Sequence, residues 1–142
     1  MPMLSQKIRN ALVEAALQGK THAYAPYSNF PVGAALLCGD GTIVTGASID
    51  NASWSLTICA ERTALVKAVS EGIRSFTALA VVANVPHISP CGLCRQVIVE
   101  FCAPEMPVLL IPGDCGSNCP LDEDDGLKET TVGALFPDND YH

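Results

Sequence analysis

Positive charge is scarce in this chain of 142 residues: eight Lys and Arg stand against fifteen Asp and Glu, a formal net charge of -7. Such a surface repels phosphate backbones, and the eight cations form no patch, so long nucleic acids are excluded as partners. Charge of either sign is thin at 16%, against 49% hydrophobic residues, which excludes a disordered chain. No apolar run approaches the length of a membrane-spanning helix. Residues 1–19 lack the apolar centre of a signal peptide and read as an amphipathic helix. His22, His87 and His142 have no ligand-like spacing. No repeat and no second domain is visible, so 1–142 reads as one domain of ordinary size in the cytoplasm, a reducing compartment.

Cysteine is what the chain does have: residues 38, 59, 91, 94, 102, 115 and 119. Cys59-Ala60-Glu61 gives C-x-E, and Pro90-Cys91-Gly92-Leu93-Cys94 gives P-C-x-x-C. Either alone is weak, since C-x-x-C also occurs in redox and structural zinc sites. Together they put three thiolates, Cys59, Cys91 and Cys94, at two helix starts, where unpaired N–H groups and the helix dipole lower thiol pKa. Three protein ligands are the mark of a catalytic rather than a closed zinc site. A carboxylate two residues from the first thiolate, Glu61, is then within reach of a zinc-activated water as its proton shuttle. Arg62, adjacent to Glu61, is a candidate to offset thiolate charge from outside the ligand set. The rival is a non-catalytic site closed by a fourth thiol from Cys38, Cys102, Cys115 or Cys119.

Periodicity places these motifs. Ser5 to Leu17 has helical spacing, with Ser5 as cap and Gly19 as stop. Val32 to Leu37 and Thr42 to Ala47 flank Gly39-Asp40-Gly41 as a hairpin, and Gly33 leaves room for a ligand or another backbone. Thr57 reads as the cap of a helix from Cys59 to Ser70. Phe76 to Ala83 and Val108 to Ile111 read as buried strands around a helix opened by Ser89 and Pro90 and running to Phe101. Thr130 to Leu135 holds a strand end and a short helix. The alternation implies an α/β layered sheet with helices on both faces.

Three stretches carry a resemblance: 24–37, Tyr-Ala-Pro-Tyr-Ser-Asn-Phe-Pro-Val-Gly-Ala-Ala-Leu-Leu; 58–64, Ile-Cys-Ala-Glu-Arg-Thr-Ala; and 89–96, Ser-Pro-Cys-Gly-Leu-Cys-Arg-Gln. With Thr131 to Pro137 at the end, the chain resembles the small homotetrameric zinc-dependent cytidine deaminases. The resemblance implies a three-layer fold with a five-stranded mixed sheet. It implies one Zn2+ per subunit on Cys59, Cys91 and Cys94, with Glu61 shuttling protons. Phe30 would line the base pocket and the Ala60 backbone would contact the pyrimidine. The implied reaction turns cytidine and 2'-deoxycytidine into uridine and 2'-deoxyuridine with release of ammonia, in pyrimidine salvage. The implied assembly is a homotetramer with shared active sites.

One run departs from that pattern. Where the family usually reads Asn-Val-Glu-Asn-Ala, with the first Asn and the Glu on the ribose hydroxyl, this chain has Ser48-Ile49-Asp50-Asn51-Ala52. Both candidate sugar ligands, Ser48 and Asp50, are shorter. A misfit at one sugar hydrogen bond is worth about ten- to hundredfold in specificity. A modified cytosine nucleoside or a blasticidin-like antibiotic is therefore the second substrate expectation.

Overall fold

The computed structural model describes residues 5–53, 56–83, 92–112 and 128–135, without the side chains of 92–95 and 128. Helix α1 spans Gln6–Lys20 and opens on Ser5, whose hydroxyl accepts the Ile8 N–H at 3.2 Å. It passes the expected stop. Gly19 lies inside the helix and Thr21 closes it. The missing Cβ at Gly19 serves packing instead, because one there would come within 3.0 Å of the Gly46 carbonyl.

Strands β1 (Val32–Cys38) and β2 (Ile43–Ala47) form the expected hairpin, with Gly41 at a φ of 93° in its turn. Helix α2 is Ala60–Ser70, β3 is Phe76–Ala83, α3 is Gly92–Phe101 and β4 is Pro107–Pro112. Strand β5 (Lys128–Thr131) and the short α4 (Val132–Leu135) end the described chain. The expected cap and first residue of α3, Ser89 and Pro90, lie outside the described residues.

The sheet order is β2-β1-β3-β4-β5. Only β3 and β4 pair in parallel, joined by α3; the other pairings are antiparallel. This is the mixed five-stranded sheet the resemblance implies. Helix α1 covers one face, burying Leu12, Val13 and Ala16 against Ala35, Ala80, Val82 and Leu109. Helices α2 and α3 cover the other, burying Leu65 and Ile98 against Leu36, Leu79, Val81 and Val108. Small residues set the spacing. A Cβ on Gly33 would meet the Ala16 carbonyl and the Lys20 N–H, so the approach left open there is taken by the α1 backbone.

Strand direction fixes where a site can lie. β2 and β3 both run antiparallel to β1, and β4 runs with β3, so all three end on one edge of the sheet. α2 follows β2 and α3 follows β3, so both helices begin at that edge. Ligands of open α/β sheets bind there, outside the carboxyl ends of the strands.

Candidate active site

Beyond β2 the chain forms an arm that leaves at Ser48 and returns at Ile58. Ile49 and Ile58 exchange two backbone hydrogen bonds, both 2.9 Å, and Cys59 follows as the N-cap of α2. The expected cap was Thr57. Its hydroxyl instead accepts the Asn51 N–H at 3.1 Å, which ties the arm to itself, and its carbonyl accepts Arg62 Nη2 at 2.9 Å. Cys59 makes no side-chain cap bond. An oxygen cap would occupy N–H groups that here keep their partial positive charge beside the sulfur.

The first turn of α2 sits directly on β2. Ala60 is fully buried, and a Cβ on Gly46 would stand 2.4 Å from its carbonyl oxygen. Glu61 is 4% exposed, rare for a carboxylate. Burial pushes its pKa up to about 7, with a further rise from the Cys59 charge, against a hydrogen bond from its own N–H and the Arg62 charge. A carboxyl held near neutrality is suited to both taking and giving a proton at physiological pH. Arg62 stays part-buried, braced on the Thr57 carbonyl two residues before Cys59.

At the second helix start, Cys94 is the third residue of α3. Its side chain, and all of Cys91, lie outside the described residues. The donor types nevertheless suit zinc: Cys59 caps α2, Cys94 belongs to the first turn of α3, both helices begin at one edge of the sheet, and the buried Glu61 follows Cys59 by two residues. Cys38 and Cys102 are buried in the two-sided core region, at the far end of β1 and just past α3. Burial raises the Cys102 thiol to about 12.

Phe30 is 41% exposed on the loop before β1, its N–H donating to Ser28 Oγ at 3.2 Å. Ser48 and Asp50 are each 7% exposed. Ser48 Oγ accepts the Val32 N–H at 3.0 Å. Asp50 Oδ2 accepts the N–H groups of Ser28 at 2.8 Å and Tyr27 at 3.2 Å. Backbone hydrogen bonds, Ser28 first, hold its carboxyl below the usual carboxylate range. The sequence reading missed this backbone cradle, which no side-chain pattern encodes. It also missed Gly46, although a glycine inside a strand is a signal of close approach.

The model of the cytidine and deoxycytidylate deaminase zinc-binding region matches residues 6–110. The chain belongs to this deaminase family. A cytidine deaminase of Sporosarcina psychrophila is 52% identical over 129 residues, 89% of this chain and 86% of the relative. The crystal structure of the cytidine deaminase from Burkholderia pseudomallei superposes with a TM-score of 0.80 at 41% identity, covering 95% of this chain and 98% of that one. A blasticidin-S deaminase of Bacillus cereus is 32% identical over 135 residues, 89% of this chain and 87% of its own length. Zinc is the metal of the family's defining region, and the fold is that of its solved members.

Proposed function

We propose that residues 1–142 form one deaminase domain that hydrolyses cytidine and 2'-deoxycytidine to uridine and 2'-deoxyuridine, releasing ammonia. The observation that carries this reading is Glu61: a carboxyl only 4% exposed, in the first turn of α2 and two residues after the cysteine that caps that helix. Cys59, Cys91 and Cys94 would hold one Zn2+. Bound there, zinc supplies the Lewis acidity that makes water a nucleophile near neutral pH.

The chain's own residues do the rest. Glu61 takes a proton from the attacking water, delivers it to the ring nitrogen beside the reacting carbon, then takes the second proton from the added hydroxyl and passes it to the departing amine, which leaves as ammonia while the ring carbonyl forms. The Ala60 backbone, fixed on Gly46, meets the pyrimidine, and Phe30 covers the base. Ser48 and Asp50 shape the sugar end of the pocket. Arg62 steadies the segment that presents Cys59. Glu61→Gln tests the assignment: cytidine absorbance loss falls by about 10²–10⁴-fold with zinc content intact. Wild-type-like turnover by that variant rejects Glu61.

A homotetramer with shared sites is the assembly in this reading. Its support is the exposed apolar surface beside the sheet edge, at Tyr24, Tyr27, Phe30, Leu56 and Ile58. Light scattering of the zinc-loaded protein tests it. The cytoplasm and pyrimidine salvage complete the reading; among the described residues no helix is long and apolar enough to cross a membrane. The shortened Ser48 and Asp50, with the blasticidin-S deaminase likeness, favour a modified cytosine nucleoside or such an antibiotic as second substrate reading. A clear preference for cytidine in kcat/KM dismisses it.

A further inference from the structure

Two segments meet at Asp50. One is the loop 24–31 that carries Phe30. The other is the arm that runs through Ile58 into Cys59. Asp50 Oδ2 takes the N–H groups of two consecutive loop residues, Tyr27 and Ser28, at 3.2 and 2.8 Å. Its own N–H donates to the Tyr24 carbonyl at 2.7 Å. Ser28 passes the restraint on, since its hydroxyl accepts the Phe30 N–H at 3.2 Å. Between them Asn29 holds a φ of 55°, the left-handed turn conformation that asparagine accepts more readily than most residues. On the arm side, Ile49 pairs with Ile58, the neighbour of Cys59.

We propose that Asp50 is a positioning residue that sets the Phe30 loop against the arm leading to Cys59, acting on substrate through Phe30. An anionic acceptor of two adjacent N–H groups makes charge-assisted bonds, stronger than neutral ones, and this one is shielded from water. Asp50 therefore couples the base-covering ring to the cysteine and carboxyl of α2. Its shortened side chain, a departure in the sequence, fits the distance to the loop backbone. The inference rests on the nucleoside-deaminase reading.

The test is a cycle of wild type, Asp50→Asn, Phe30→Ala and the double variant, assayed on cytidine and on 3'-deoxycytidine, with zinc content measured throughout. Asp50→Asn keeps the shape and removes the charge. It raises KM more than it lowers kcat, with a loss in kcat/KM of about tenfold by the same factor on both substrates. In the Phe30→Ala background the loss shrinks to within about threefold, because coupled residues are not additive. A loss seen on cytidine and absent on 3'-deoxycytidine overturns the inference, as does full additivity with Phe30→Ala. A second readout does not need turnover. Amide exchange at Tyr27 and Ser28 quickens in Asp50→Asn and in Asp50→Ala, and unchanged exchange in both refutes the cradle. If instead the exchange responds and the wild type deaminates no cytosine nucleoside, the cradle stands, while the functional reading and the substrate role given to Asp50 fall together.

Discussion

Gly46→Ala isolates the seating of α2. The backbone at Gly46 has a negative φ, so alanine meets no conformational penalty there. The obstacle is contact. The new Cβ would lie 2.4 Å from the Ala60 carbonyl oxygen, 2.6 Å from the Ala64 nitrogen and 3.0 Å from the Ala64 Cβ. Two of those three atoms are backbone, so no rotamer change relieves the clash, and α2 must lift by about 1 Å to restore van der Waals distance. Overpacking of this kind costs about 1–3 kcal/mol. The lift falls on the turn that bears Cys59, Ala60 and Glu61. Gly33→Ala is the matched control: its Cβ would come 2.3 Å from the Ala16 carbonyl and 2.5 Å from the Lys20 nitrogen, on the α1 face. Urea unfolding of both variants after metal chelation should show losses of similar size. Zinc affinity, measured against a chromophoric chelator, and kcat should fall only for Gly46→Ala. Equal zinc affinity in the two variants, or a Gly46→Ala midpoint at the wild-type value, would falsify the claim that β2 seats the site.

Leu65→Ala, at a fully buried position of α2, is expected to cost about 2–5 kcal/mol in urea unfolding. Asp50 has a depressed folded-state pKa, so its contribution to stability is present above the ordinary aspartate pKa and is lost as pH falls through the folded value. Melting temperatures of Asp50→Asn should therefore drop less than wild type between pH 6 and pH 3. The Cys102 thiol, pushed up to about 12 by burial, is expected to resist alkylation at pH 8 until the chain unfolds, as peptide mass spectrometry would show.

Elements with a strong period were legible in the chain itself. Phe76–Ala83 announced a doubly covered strand by its unbroken apolar run, and the hairpin by the Gly-Asp-Gly turn. Ends were harder. Gly19 looked like a stop because glycine often ends helices, yet the sheet needed a helix surface without a side chain there. Thr57 looked like a cap because hydroxyls cap, yet the arm needed that hydroxyl for Asn51. In both cases a tertiary contact overrode a local preference. Membership of a zinc-binding family was legible because such a family's motif demands fixed residue types at short spacing. The backbone partners of Ser48 and Asp50 were not, because the N–H groups of Val32, Tyr27 and Ser28 are groups that every sequence supplies.

The layout also bears on whether a fourth sulfur could close the zinc site and silence it, for Cys38 and Cys102; Cys115 and Cys119, the other two candidates, lie outside the described residues. Cys38 ends β1 and pairs with Phe76, the first residue of β3, while Cys59 lies beyond the opposite ends of these strands. Six residues of extended chain separate Val32 from Cys38, about 20 Å at 3.3 Å per residue, and a zinc–sulfur bond spans about 2.3 Å. Cys102 lies just past the ten-residue α3, about 15 Å from that helix's start at 1.5 Å per residue. Neither thiol can share a metal with Cys59 without dismantling a strand or a helix. Cys38→Ala and Cys102→Ala, singly and together, should therefore retain wild-type zinc per subunit, with any loss confined to stability. Cys59→Ala should lose zinc outright. Depleted zinc in a folded Cys38→Ala or Cys102→Ala protein would put a fourth sulfur on the metal and remove the open position on which deamination depends.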